Sequence, residues 1–221
     1  MEVWVSAPLV LAAAAAVLFY NNRETLRADG PLGQKCGAVM RRKNAVVALL
    51  CAVPVAEAAF LVSYFYYGNG VPYAVRLLCV CEWLIPVAYM DYKKRVIPNV
   101  LIVAGLGLFL AFFAVDIFVL RYEALDVLKS AGGGLLLGAG VFVLCLLVTK
   151  GGMGMGDVKL FGVLGLLLGW DGVFYVILHS AVLVAGYGAV MMLRKKMDRK
   201  TMLPIGPFAW LSMLVSVFLG L

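Results

Sequence analysis

The sequence has little charge and almost no histidine. Only 14% of its 221 residues are charged, one residue (His179) is a histidine, and 64% are hydrophobic. A soluble domain usually carries about 25% charged residues, so a large water-soluble domain is excluded. Apolar runs long enough to cross a hydrocarbon core of about 30 Å recur along the chain. The composition therefore predicts an all-α, polytopic helical membrane protein.

The patterns typical of metal, redox and nucleotide sites are also missing. None of the five cysteines forms a C-x-x-C pair, so neither a zinc site nor a redox site is indicated. No Gly-Lys-Ser/Thr sequence of a phosphate-binding loop is present. In a membrane protein, the net charge of +7 reflects the placement of loops rather than a nucleic-acid partner. We expect the lipid bilayer as a partner, and no metal, cofactor or nucleic acid.

The apolar runs predict about eight transmembrane helices, with the N-terminus and the C-terminus outside. The predicted spans are at about 3–20, 45–64, 73–90, 98–115, 131–148, 158–170, 172–193 and 203–221. Residues 1–72 would form a two-span region with a short basic cytoplasmic loop at 21–44, and residues 73–221 a six-span core. The segment 158–170 is too short to cross a bilayer comfortably, so it would be tilted, thin the bilayer or start inside the protein.

The distribution of basic residues supports this topology. Of the 19 Lys and Arg residues, only Arg76, Arg121 and Lys129 fall on the predicted outer side. Basic residues concentrate in cytoplasmic loops of membrane proteins. The predicted orientation therefore agrees with the positive-inside rule.

A glycine-rich stretch, Lys150–Lys159, lies between two apolar runs. Gly154 and Gly156 lack a β-carbon, so positive φ angles and a close backbone approach are possible there. Asp157 then enters an apolar helix, where an ionisable side chain is a functional candidate. The simpler alternative is that the glycines form a turn and Asp157 caps the helix.

A second acid, Asp91, is separated from Asp157 by two predicted spans. Two crossings return the chain to the side that it left, so both acids are expected at the cytoplasmic ends of their helices. Two carboxyls near contact in a medium of reduced dielectric share one proton. Such a pair can activate water with its ionised member and donate a proton to a peptide carbonyl with the other. Alternatively, Asp91 ends a helix and pairs with Lys94 or Arg95.

Three motifs together resemble the type IV prepilin peptidases, bacterial aspartic proteases of the G-x-G-D type. The first is Asp91 followed by Ile97-Pro98-Asn99, and the second is Gly154-Met155-Gly156-Asp157-Val158-Lys159-Leu160. The third is Pro204-Ile205-Gly206-Pro207-Phe208, which is similar to the Pro-x-Gly-Pro-Phe stretch that opens the last span in that family. The resemblance covers about residues 73–221.

The resemblance implies an endopeptidase that removes the basic leader of type IV prepilins or pseudopilins at the cytoplasmic face of the inner membrane. Such enzymes serve type IV pilus assembly or protein secretion, and they usually cut after a glycine. Asp91 and Asp157 match the catalytic pair, and Gly154 and Gly156 match the motif glycines. The remaining candidates are motif support from Pro98, Asn99 and Lys159, and substrate contacts from Glu82, Pro204, Gly206 and Pro207.

One feature departs from the family pattern. Many bifunctional members carry two C-x-x-C pairs that hold zinc in a longer cytoplasmic domain, and they also N-methylate the new terminus. Here the loop at 21–44 is short and contains only Cys36. The departure argues against a zinc site and leaves methyltransferase activity an open question.

Two other functional interpretations stay open. Presenilin-like and signal-peptide-peptidase-like proteases also use a G-x-G-D aspartate, but they usually carry Tyr-Asp and Pro-Ala-Leu motifs that differ from those around Asp91 and Pro204. A proton-coupled small transporter would use similar carboxylates, usually near mid-membrane and with internal repeats. Glu57 and Glu82 lie inside predicted spans, where structural roles are favoured, and His179 is expected to be a packed neutral residue.

Overall fold

The computed structural model describes residues 54–148, 154–194 and 203–220, and this part of the chain is helical with short connections and no β-strand. Residues 54–61 are helical and continue into a π-helical turn, Val62–Tyr66. The helices that follow are α1 (Val71–Lys94), α2 (Asn99–Phe118), α3 (Ala124–Val148), α4 (Met155–Leu193) and α5 (Gly206–Leu219). Of these, α1 to α4 are long and apolar enough to cross a membrane. The chain is thus a helical membrane protein by length and composition of its helices.

Part of the predicted topology concerns residues that the structure does not describe. The first span, the basic loop at 21–44 and the beginning of the second span lie outside the described residues. The same holds for residues 149–153 and 195–202. The count of eight spans and the orientation of the termini therefore stay predictions.

Several helix boundaries differ from those expected. The loop predicted to begin at Asp91 begins later, because α1 continues to Lys94 and ends at Arg95, whose φ of 52° is left-handed. The connection between the predicted spans at 98–115 and 131–148 was expected to be partly helical, and it is mostly helical, since α2 extends to Phe118 and α3 begins at Ala124. The helix passes through Asp116 because the buried Asp116 carboxylate is paired with Arg76 of α1.

Helix α4 is divided by Gly169, which has φ 71° and ψ −172°. A residue with a β-carbon is strained at such a φ. The second part, residues 170–193, runs back toward the beginning of α5, because Tyr187 packs against Phe208 with ring centroids 5.4 Å apart. The two separate segments predicted on either side of residue 171 are therefore present, divided slightly earlier. The first part is only about 21 Å long at 1.5 Å per residue.

Helices α3 and α4 pack closely. A β-carbon at Gly134 would collide with the carbonyl oxygen of Gly165, and the Phe142 and Phe161 rings stack with centroids 3.9 Å apart. Gly134 makes this contact, whereas a β-carbon at Gly132 would face open space.

The contacts define two ends of the bundle. The aspartate end contains the end of α1 and the beginnings of α2, α4 and α5, and the opposite end contains the beginning of α1, the end of α2, the beginning of α3 and Gly169. Helix α5 runs antiparallel to α1, because Gly206 contacts Asp91 whereas Tyr67 donates a 2.6 Å hydrogen bond to the Phe218 carbonyl. The core lies between these ends, with its largest fully buried side chains drawn from α1, α4 and α5.

Candidate active site

Asp91 lies in the last turn of α1 and is only 6% exposed. Its Oδ2 atom accepts a hydrogen bond of 2.7 Å from the backbone N–H of Gly206, the first residue of α5. The first backbone N–H groups of a helix have no partner within the helix, and they favour a negative charge nearby. The beginning of α5 therefore both orients Asp91 and stabilises its carboxylate form.

Asp157 lies in the first turn of α4 and is half-buried. Its backbone N–H donates to the carbonyl of Gly154 at 3.1 Å. The N-cap of α4 is Gly154, so Asp157 is not the capping residue of the simpler alternative. The Asp157 carboxyl nevertheless faces the backbone N–H of Gly154, as the third residue of a capping box does.

The glycines of the G-x-G-D motif differ from expectation. Gly154 has φ −80° and ψ 141°, and Gly156 is helical, so neither takes the positive φ that a glycine makes possible. The α4 helix begins immediately after Gly154, so an extended residue is sufficient there. The expected close approach is present instead at Gly156, where a β-carbon would lie 3.2 Å from Cβ of Ile97.

The structure places both acids at the aspartate end of the bundle, and Asp91 lies within electrostatic range of Asp157. Arg95 is also within electrostatic range of Asp91. However, the hydrogen bond to Oδ2 of Asp91 comes from the backbone N–H of Gly206 rather than from a basic residue. A carboxyl held by backbone donors beside a second carboxyl is an arrangement suited to acid–base chemistry on a peptide.

Lys159 and Asn99 connect the beginnings of α4 and α2. Lys159 Nζ donates a 3.1 Å hydrogen bond to Oδ1 of Asn99. Pro98 is the buried N-cap residue of α2, one position earlier than the first helical turn in which it was predicted. Lys159 was expected to support the motif, and in the structure it forms this connection two residues after Asp157.

Gly206 fits against Asp91 because it has no side chain. A β-carbon there would lie 2.8 Å from Cβ of Asp91 and 3.0 Å from its Oδ2. Pro204 precedes α5, and Pro207 occupies its first turn, where the missing N–H is no loss. Gly206 was expected from the sequence to contact substrate, and its bond to Asp91 was not anticipated. The Pro-Ile-Gly-Pro-Phe motif was the available signal.

Glu82 is not brought together with the aspartate pair. It lies within α1, about 13 Å from Asp91 along the helix at 1.5 Å per residue. It is 4% exposed, and neither carboxylate oxygen has a hydrogen-bond partner in the described part of the chain. A side chain this buried offers no surface to a substrate. His179 is half-buried, and its Nδ1 lies 2.7 Å from Oγ of Ser216.

Comparison with known proteins supports the family inferred from these motifs. Residues 78–189 match the model of the Type IV leader peptidase family. The chain belongs to the type IV leader peptidase family. The resemblance inferred from the three motifs is therefore confirmed, and the matched region contains both Asp91 and Asp157.

Several curated relatives share the family's name. The chain is 30% identical to a prepilin leader peptidase/N-methyltransferase of Stutzerimonas stutzeri over 81% of this chain and 61% of the relative. It is 31% identical to a protein of the same name from Pseudomonas aeruginosa, over 83% of this chain and 63% of the relative. The chain thus spans about three-fifths of the length of these relatives. No solved structure matches it.

Proposed function

We propose that this chain is a membrane aspartic endopeptidase that removes the basic leader of type IV prepilins or pseudopilins. The observation that carries the proposal is the placement of Asp91 and Asp157, from two different helices, at one end of the bundle within electrostatic range. Membership of the leader peptidase family supports the substrate class. The bond between Gly206 and Asp91 supports a role for the third motif in the same site.

The hydrogen bonding suggests different roles for the two acids. Asp91 accepts the Gly206 N–H, also faces the Ile205 N–H and lies near Arg95. Asp157 faces the Gly154 N–H and lies near the Asp91 carboxyl. Hydrogen bonds and a nearby positive charge favour the ionised form of a carboxyl, and Asp91 has more of both. Asp91 is accordingly the base, and Asp157 carries the shared proton. Each acid then has one defined task at the start of the reaction.

The reaction proceeds by addition of water to the scissile carbonyl. Asp91 takes a proton from the water as its oxygen bonds to the carbonyl carbon, and Asp157 gives its proton to the carbonyl oxygen. The C–N bond of the tetrahedral intermediate then breaks. The proton held by Asp91 passes to the leaving amine, and Asp157 recovers a proton as the new carboxyl group forms.

The substrate arrangement follows from the predicted topology. With the aspartate end toward the cytoplasm, a basic leader stays on the side where basic loops are retained. The apolar helix of the precursor lies in the bilayer beside the enzyme. The proposal places the protein in the inner membrane and covers cleavage alone, without the N-methylation that the relatives' names also mention.

Co-expression with a prepilin that has a Gly-Phe or Gly-Met junction tests the proposal. Wild-type protein is expected to shorten the precursor, whereas Asp91→Asn and Asp157→Asn leave it uncut. Asp171→Asn, which changes an exposed acid at the opposite end, is the matched control and should process normally. Normal processing by either Asn variant at the aspartate end, with both proteins present in the membrane, would overturn the mechanism.

The same variants separate the protease from a proton-coupled transporter. In a transporter, Asp157→Asn abolishes flux, and the precursor stays uncut with the wild-type protein and with every variant alike. In a protease, the uncut precursor is the direct consequence of the substitution. Cleavage inside the apolar helix of the precursor, rather than before it, would instead indicate a presenilin-like activity.

A further inference from the structure

A cavity of about 650 Å³ lies at the opposite end of the bundle from the aspartate pair. Its lining includes Leu166 to Gly169 and residues from the beginning of α1, the end of α2 and the beginning of α3. The first part of α4 is about 21 Å long, so the turn at Gly169 leaves a recess between longer helices. Arg76, which lines the cavity, is about 22 Å from Asp91 along α1. The cavity is therefore separate from the candidate active site.

The wall of the cavity contains a cation. Arg76 pairs with the buried Asp116, and its guanidinium carbon lies 5.2 Å from the centroid of the Phe112 ring. The Arg76 side chain lines the cavity and is 20% exposed. An ionisable residue within a span is a functional candidate. Its positive charge is therefore placed to attract an anionic oxygen in the cavity.

The rim of the cavity carries negative charge. Glu123 and Asp126 both line it and are exposed. Lys129 Nζ lies 3.2 Å from Oδ1 of Asp126, which offsets that carboxylate. Glu123 has no such ion pair within the part of the chain that the structure describes. Its carboxylate is therefore available to a ligand cation.

The remaining surroundings are apolar. Phe109, Phe112 and Phe113 form one wall. Helices α2 and α3 make few contacts with each other, and both present exposed leucines, such as Leu110 and Leu128. Such side chains are suited to contact with lipid acyl chains rather than with water.

We propose that this cavity binds the headgroup of an aminophospholipid. The phosphate lies against the Arg76 guanidinium, the ammonium group lies against Glu123, and the acyl chains follow the apolar faces of α2 and α3. Each charged part of the headgroup thus meets a side chain of opposite charge. The inference stands independently of the proposed protease function, since it uses none of the residues of the aspartate end.

Lipid titration of the purified, delipidated protein tests the proposal. The unfolding midpoint and the bound lipid are measured with phosphatidylethanolamine, phosphatidylglycerol and free phosphoethanolamine. Phosphatidylethanolamine should be retained in preference to phosphatidylglycerol, because only the former brings a cation to Glu123. Free phosphoethanolamine should have little effect, because it lacks the acyl chains.

Two variants identify the site. Glu123→Gln, at an exposed position, should weaken phosphatidylethanolamine binding roughly 2- to 5-fold, as expected for an exposed ion pair, and should remove the preference. The double variant Arg76→Gln/Asp116→Asn keeps the pair uncharged and should weaken binding about 10-fold or more, as expected for loss of a hydrogen bond to a charged group. Lys93→Gln, at the aspartate end, is the control and should bind as wild type.

Three results would overturn the proposal. They are equal retention of the two lipids by the wild-type protein, unchanged lipid preference in Glu123→Gln, and equal stabilisation by free phosphoethanolamine, which would indicate a site for soluble ligands. If the double variant does not fold, Glu123→Gln decides the question alone, because an exposed substitution leaves the helix packing intact.

Discussion

The backbone N–H of Gly206 lies 2.7 Å from Oδ2 of Asp91, across 115 positions of the chain. This bond attaches the beginning of α5 to the end of α1. It gives the Pro-Ile-Gly-Pro-Phe motif a physical role, because the helix that the motif opens presents a backbone donor to one member of the acid pair. The close fit also limits position 206 to glycine.

The first prediction concerns this fit. Gly206→Ala would place a β-carbon 2.8 Å from Cβ of Asp91, so α5 must move and the hydrogen bond is lost. Hydrogen bonds to charged groups contribute about 1.5–3 kcal/mol. We therefore expect precursor cleavage to fall roughly 10- to 100-fold, measured as an initial rate with purified enzyme.

A matched substitution separates this effect from a general loss of helix packing. A β-carbon at Gly107 in α2 would meet nothing within 4 Å, so Gly107→Ala should cleave at the wild-type rate. If Gly206→Ala also cleaves at that rate while remaining folded, the bond to Asp91 has no part in catalysis.

The second prediction concerns the hydrogen bond between Lys159 and Asn99. Both groups are exposed, so Lys159→Met should change the unfolding midpoint little. It should lower the cleavage rate about 2- to 10-fold, since a net hydrogen bond contributes roughly 0.5–1.5 kcal/mol to the placement of α4 beside α2. Asn99→Leu should have a similar effect.

The double variant Lys159→Met/Asn99→Leu distinguishes this connection from two independent roles. When two residues act through one shared bond, the effects of their substitutions do not add. The double variant should therefore cleave no more slowly than the slower single variant. If the fold-loss in cleavage rate of the double variant equals the product of the two single fold-losses, Lys159 and Asn99 act separately.

The third prediction concerns the packing of α3 on α4. Gly134→Ala would push a methyl group into the carbonyl of Gly165, and overpacking typically costs about 1–3 kcal/mol. The unfolding midpoint in detergent should fall. Gly132→Ala, two residues away and facing open space, should leave it unchanged or slightly higher, and an equal loss in both variants would contradict the packing seen at Gly134.

The fourth prediction concerns Glu82, whose carboxylate is buried without a hydrogen-bond partner among the described residues. An unsatisfied buried polar group costs about 1–3 kcal/mol. Glu82→Met should therefore raise the unfolding midpoint and preserve cleavage, whereas Glu82→Gln keeps a polar group and should gain less. Loss of cleavage in Glu82→Met would assign Glu82 a functional role after all.

The placement of Asp91 and Asp157 at one end of the bundle was predictable from the sequence. Two apolar spans separate them, and any two crossings return a chain to the same side. The division near Gly169 was also predictable, because the segment before it is too short to span a bilayer. Both inferences depend on segment length, which the sequence records directly.

The contacts between distant segments were not predictable in the same way. The ion pair between Arg76 and Asp116 joins the beginning of α1 to the end of α2, and from the sequence Asp116 read as the start of a loop. The bond of Gly206 to Asp91 and the φ of Gly154 depend on how helices pack. Spacing within one segment carries no information on that packing.

Cross-linking tests most directly whether the two acids meet. In a variant without the five native cysteines, Asp91→Cys and Asp157→Cys are introduced together and oxidised in native membranes. A control pair combines Asp157→Cys with Val119→Cys, which is exposed beyond the end of α2. The 91–157 pair should form a disulfide and the 119–157 pair should not. Failure of the 91–157 pair to link, with both cysteines reactive toward a maleimide, would contradict a shared site for the two aspartates.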